Sequence, residues 1–106
     1  MSLPNTAQIQ MLELEVFEPL VGEDFVVSSI EGGEAQATLK LVSAKSLGDT
    51  NPFGRNPFSL IFEGDPSLVI PQGMFWFQNP DLGQHGLFIV PVGADATCRR
   101  YQAIFN

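Results

Sequence analysis

The 106-residue chain has one cysteine, one histidine, one tryptophan and only five basic residues. With Cys98 alone, an internal disulfide and any multi-cysteine metal site are excluded. With His85 alone, a transition-metal site would have to be built almost entirely from carboxylates, so no metal is expected. No apolar run approaches the roughly 20 residues that a membrane-spanning helix needs. Met1–Thr6 has no basic residue followed by an apolar core, so a secretory leader is not expected and a cytoplasmic location is. Internal repeats and low-complexity linkers are not visible either.

Basic charge is scarce in a particular way. Glu13, Glu15, Glu18, Glu23, Asp24, Glu31 and Glu34 all precede Lys40, the first basic residue. From Lys40 onward the bases and acids cancel, so the first 39 residues hold the whole net charge of −7. Phosphate-backbone binding needs clustered Lys and Arg to release counterions, so nucleic acid is not an expected partner. An anionic membrane surface is disfavoured by the same sign. The acidic segment reads either as a solvated face that keeps a small protein soluble or as a docking face for a basic partner, with Glu13, Glu15 and Glu18 as its candidate contacts.

What the chain has in quantity is phenylalanine, nine of them, in a 44% hydrophobic composition. That suffices for one packed domain despite ten Gly and eight Pro. Residues 1–8 read as a flexible tail and 9–106 as a single β domain. Ile9–Leu20 is ambiguous: Leu12, Leu14 and Val16 alternate with Glu13 and Glu15 as in a strand, whereas Ile9, Leu12, Val16 and Leu20 share a helical face. The helix-forming composition favours a short helix anchored by Phe17 and ended by Pro19, which disfavours helical geometry at Glu18.

Strand patterns follow. Asp24–Ser29 places Phe25 and Val27 on one face; after the Gly32-Gly33 turn signal, Glu34–Ser43 alternates Ala35, Ala37, Leu39 and Leu41 with polar residues. Residues 44–57 read as a long loop in which Phe53 either folds back as a plug or offers a partner contact. Phe58–Phe62 puts Phe58, Leu60 and Phe62 on one face and is closed by Glu63-Gly64-Asp65-Pro66. A brief extended Leu68–Ile70 precedes the Pro71-Gln72-Gly73 turn. Met74–Gln78, Gly86–Val92 and Arg99–Phe105 give three further strands, Pro91 marking an edge position or strand end. About six strands, short turns and at most one short helix specify an antiparallel all-β barrel or sandwich.

Catalytic chemistry finds little support. His85 lies in Gly83-Gln84-His85-Gly86, read as an exposed turn, and no Gly-x-Ser-x-Gly elbow supplies a nucleophile. Arg99 and Arg100 would favour a Cys98 thiolate, but a thiolate without a base is no mechanism. The pairs Glu13/Glu15 and Glu63/Asp65 lack calcium-loop spacing, and no glycine-rich phosphate cradle leads into a helix. A non-enzymatic protein without cofactor is expected.

The remaining signal is apolar residues on both faces of one strand. Phe75 and Phe77 oppose Met74 and Trp76, so one face is either covered or presented to a partner or a second copy. Ile61 and Ile89 repeat this if Phe62 and Phe88 point inward. Trp76, Ile61 and Phe53 are therefore candidate protein contacts beside Glu13, Glu15 and Glu18. A small apolar-ligand carrier is the alternative reading, though nine Phe side chains leave a barrel of this size little interior.

Pro57–Gly64 (PFSLIFEG), Pro71-Gln72-Gly73 with Met74–Phe77, Leu87–Gly93 and the ending Tyr101–Asn106 together resemble a small bacterial domain-of-unknown-function family. Phe17, Gly22 and Phe25 fit the family's N-terminal pattern, and the resemblance covers most of residues 12–106. It implies a stand-alone, mostly β, cytosolic bacterial protein, associated with gene neighbourhoods encoding phage-tail-collar-like proteins. It brings no catalytic residues, because the matched positions are packing and turn residues.

Overall fold

In a computed structural model, residues 12–31, 34–48 and 57–105 are described. Four sequence features lie outside them: the 1–8 tail, Ile9, the Gly32-Gly33 turn and Phe53. The described chain begins with a four-residue helix α1, Leu14–Phe17, continued by a 3-10 turn at Glu18–Leu20. Six strands follow: β1 Asp24–Ser29, β2 Ala35–Ser46, β3 Phe58–Gly64, β4 Gly73–Asn79, β5 Gly83–Ala94 and β6 Arg99–Phe105. They close into an antiparallel barrel in the order β1-β2-β3-β6-β5-β4, with β4 pairing back onto β1.

The two long strands turn the barrel's corners. β2 pairs with β1 through Ala35–Lys40 and with β3 through Lys40–Ser46; β5 pairs with β4 through Gly83–Ile89 and with β6 through Val90–Ala94. Each has an irregularity where it changes partner, between Leu41 and Ser43 and between Pro91 and Gly93. Such bulges add twist and let a strand bend from one sheet into another. Pro91 thus lies beyond the last β4 pair at a bulge, where a missing ladder donor is tolerated. Strands β1–β3 and β4–β6 form two equivalent meanders: the pairs Phe25↔Leu39 and Leu41↔Phe62 correspond to Gly73↔Ile89 and Pro91↔Tyr101. The repeat is topological, since its corresponding residues differ.

Alternation fills the interior. Phe25, Val27, Leu39, Leu41, Phe58, Leu60, Phe62, Phe77, Leu87, Ile89, Tyr101 and Ala103 are all buried. Phe25 meets Phe62 edge-on at 5.5 Å and Phe62 meets Phe77 at 4.9 Å, so β1, β3 and β4 share one aromatic centre. At one end Phe58 stacks on Phe105 at 4.5 Å, and Phe17 from α1 packs on both at 5.8–5.9 Å. That contact plugs the barrel and explains why so short a helix persists. Burial of one such side chain stabilises by about 1.5–3 kcal/mol, far more than four residues of helix propensity.

Two glycines are required by position. Gly83 (φ +84°) closes the β4–β5 hairpin opposite Asn79, where a left-handed residue completes a three-residue loop. A side chain at Gly64 would meet Leu39 Cδ2 in the core.

Several sequence expectations are corrected. Glu18 remains helical (φ −54°, ψ −45°) despite Pro19, which sits at the start of the 3-10 turn where its absent N–H is not needed. β2 continues to Ser46 and β3 to Gly64, shortening the anticipated loop and moving the following turn to Asp65. Leu68–Ile70, read as a brief extended piece outside the six strands, lies in the β3–β4 connection with Ile70 buried and Leu68 and Val69 exposed. β5 has the opposite phase from that expected: Leu87 and Ile89 point into the core and Phe88 points out. Its phase follows from β4, because inward Phe77 and Phe75 pair with His85 and Leu87.

Candidate functional site

The reversed phase of β5 assembles an outward apolar face. On adjacent strands Met74 pairs with Phe88 and Trp76 with Gly86, while Ser28 of β1 flanks Trp76 on the other side. Met74 is 52% exposed and Phe88 48%. The Trp76 indole and Met74 Sδ close over Gly86, each 3.6 Å from where its missing Cβ would stand, which leaves Trp76 half-buried. On β6, outward Ile104 is 54% exposed and follows Gln102, the partner of Val90. Along β4 and its β1 side the rim is uncharged, with Gln78 paired with Gln84 and Ser28 beside Trp76, whereas on β6 Arg100 is held by Glu63 and Asp95. From Pro66 to Ala94 the only charged residue is Asp81, in the β4–β5 turn.

Of the sequence-derived contacts, Trp76 lies on this face. Ile61 points outward on β3 between Ser43 and Gln102 but is half-buried, and its outward neighbour Ser59 is 8% exposed. Glu13, Glu15 and Glu18 are exposed on the plug, a separate element. Phe53 lies outside the described residues. Phe88, Met74 and Ile104 carry most of the exposed apolar surface here. Sequence reasoning placed Phe88 inside because every position of Leu87-Phe88-Ile89-Val90 is apolar.

The groups with chemical potential have structural duties. His85 lies within β5 rather than in a turn, half-buried, with Nε2–H donating to the Leu82 carbonyl at 3.1 Å. Burial pushes the Cys98 thiol up, outweighing the opposing Thr97 hydrogen bond and the Arg100 charge, so the Arg99–Arg100 neighbourhood does not make it a thiolate. Asp95 Oδ1 accepts from the Thr97 hydroxyl (2.7 Å), the Thr97 amide (2.8 Å) and the Cys98 amide (3.0 Å), and Oδ2 accepts from Arg100 at 2.9 Å. These bonds hold its carboxyl far below the usual carboxylate range. Arg100 also reaches Glu63 at 3.3 Å. Among the described residues, no three His, Cys, Asp or Glu side chains are placed to hold a metal ion, and no helix is long and apolar enough to cross a membrane.

A family model described as "Domain of unknown function (DUF6916)" matches residues 12–105. The chain belongs to the DUF6916 family. That match spans α1 and all six strands, so the plugged barrel as a whole is the DUF6916 unit. No curated protein and no solved structure matches the chain.

Proposed function

We propose that this DUF6916 domain is a non-enzymatic protein-binding or structural-accessory module whose contact surface is the outer face of β4, β5 and β6. The observation that carries the reading is three large apolar side chains, Met74, Phe88 and Ile104, each about half exposed around Trp76 on regular strands. Regular β structure fixes the backbone beneath these side chains, so docking orders only their rotamers, and Trp and Met are favoured in interface cores. The acidic plug, with Glu13, Glu15 and Glu18, is the second candidate surface and would suit a basic partner. On this reading the domain acts in the cytoplasm, as an accessory of a phage-tail-collar-like assembly of the kind the sequence resemblance implies.

The small-ligand carrier gains nothing from the interior, where Phe25, Phe62 and Phe77 lie in mutual ring contact. The test is capture from native lysate with three baits: wild type, Phe88→Lys, and a triple variant with Glu13, Glu15 and Glu18 changed to Lys. One specific protein retained by the triple variant and lost with Phe88→Lys supports the barrel face. Loss with the triple variant alone moves the contact to the plug. No specific capture by wild type would sink the heterologous form of the reading.

A further inference from the structure

We infer that the outer face of β4, β5 and β6 is closed by a second copy of this chain, forming a reversible isologous dimer. This rests on the reading of that face as a docking surface and names its occupant.

The argument is electrostatic. In a two-fold contact each residue near the axis meets itself or its neighbour's copy, so any charge there confronts its like. A chain of net charge −7 can therefore pair with itself only through a surface free of acids. β4, β5 and their connecting turn meet this condition: Asp81 is the only charged residue between Pro66 and Ala94, and it sits at a hairpin tip rather than on the face. The outward positions of β4 and β5 are Met74, Trp76 and Gln78, and Gln84, Gly86 and Phe88. The excess acid lies on and beside α1 (Glu13, Glu15, Glu18), at the start of β1 (Glu23, Asp24) and at the β1–β2 connection (Glu31, Glu34). A basic partner would gain nothing from this neutral face and would be drawn to the plug instead.

Area sets the strength. Strands about 4.8 Å apart, with outward residues about 6.8 Å apart, give each position roughly 33 Å² of flat sheet. The face therefore offers a few hundred Å², below the about 800 Å² per partner of a standard stable complex. The dimer should dissociate on dilution. Salt should strengthen rather than weaken it, because screening relieves repulsion between the two −7 chains while the apolar contact persists.

Sedimentation velocity of the full chain, from low-micromolar to near-millimolar concentration, tests this at low and physiological salt. Wild type should move from monomer to dimer with concentration, with the transition earlier at the higher salt. Phe88→Lys and Met74→Lys, both at exposed positions, should remain monomeric with unchanged far-UV circular dichroism and melting. Glu15→Lys should dimerise at least as well as wild type. Monomer at every concentration and salt, or equal dimerisation of Phe88→Lys, overturns the second copy as occupant. The Phe88→Lys bait then separates the two claims: a partner lost with that bait keeps the face as a docking surface for another protein, and a monomeric chain whose captures are unaffected removes both.

Discussion

Replacing Tyr101 by Phe should destabilise the barrel through one backbone group 31 residues away. Tyr101 is 1% exposed, and its hydroxyl accepts a hydrogen bond from the Ile70 amide at 3.0 Å and donates to the Leu68 carbonyl at 3.3 Å. These bonds bind the crossover between β3 and β4 to the wall made by β6. The substitution removes one oxygen and leaves the ring in place, so cavity formation contributes little. The Leu68 carbonyl belongs to an exposed residue and can turn to water. Ile70 is 3% exposed, so its N–H is left buried without an acceptor. Orphaning a buried donor costs about 1–3 kcal/mol. For a domain of this size that lowers the melting temperature by about 4–8 °C per kcal/mol. Urea denaturation should show a lower midpoint with an unchanged m-value, and the Ile70 amide should exchange with deuterium faster than its neighbours on β4. A loss below about 0.5 kcal/mol, within the range of ordinary surface substitutions, together with unchanged Ile70 protection would refute the reasoning.

Phe17→Ala should empty the plug against Phe58 and Phe105 and cost about 3–5 kcal/mol, read by urea denaturation; a loss under about 1 kcal/mol would mean that α1 does not hold the barrel end. Asp95→Asn removes a charge whose folded pKa is lowered by the Thr97 and Cys98 hydrogen bonds and by Arg100. A depressed folded pKa stabilises above the unfolded value of 3.8 and is lost as pH falls through the folded one. Wild type should therefore exceed Asp95→Asn in stability at pH 7, with the gap narrowing below about pH 4; a gap that widens on acidification would contradict the assignment.

Much of this architecture was legible residue by residue. Asp24–Ser29 and Arg99–Phe105 carry clean boundaries and form β1 and β6 over those same spans. Phe58, Leu60 and Phe62 alternate with smaller or polar neighbours and point inward as expected, and Phe17 anchors a short helix. In Met74–Phe77 the two-sided apolar pattern marked Trp76 as outward surface or covered face, and it is the half-buried centre of the exposed patch. Leu87-Phe88-Ile89-Val90 failed for a definite reason: with no polar residue to break the degeneracy, either phase of a period-two pattern fits. Glu18 failed because the burial of Phe17 and Leu20 on either side outweighs the local preference of a residue before proline.

Composition, charge and alternation by themselves determined the class: a small acidic β fold with an aromatic core and six strands in nearly their observed places. These properties are local, because the period of a strand and the geometry of a turn are written within a few residues. Closure, the bulges that bend β2 and β5, the repetition of the meander and the phase of β5 were decided by tertiary structure. Each depends on a partner strand far away in sequence, so no local window contains it. The outward position of Phe88, and with it the apolar face, exists only because Leu87 pairs with inward Phe75 across the β4–β5 ladder.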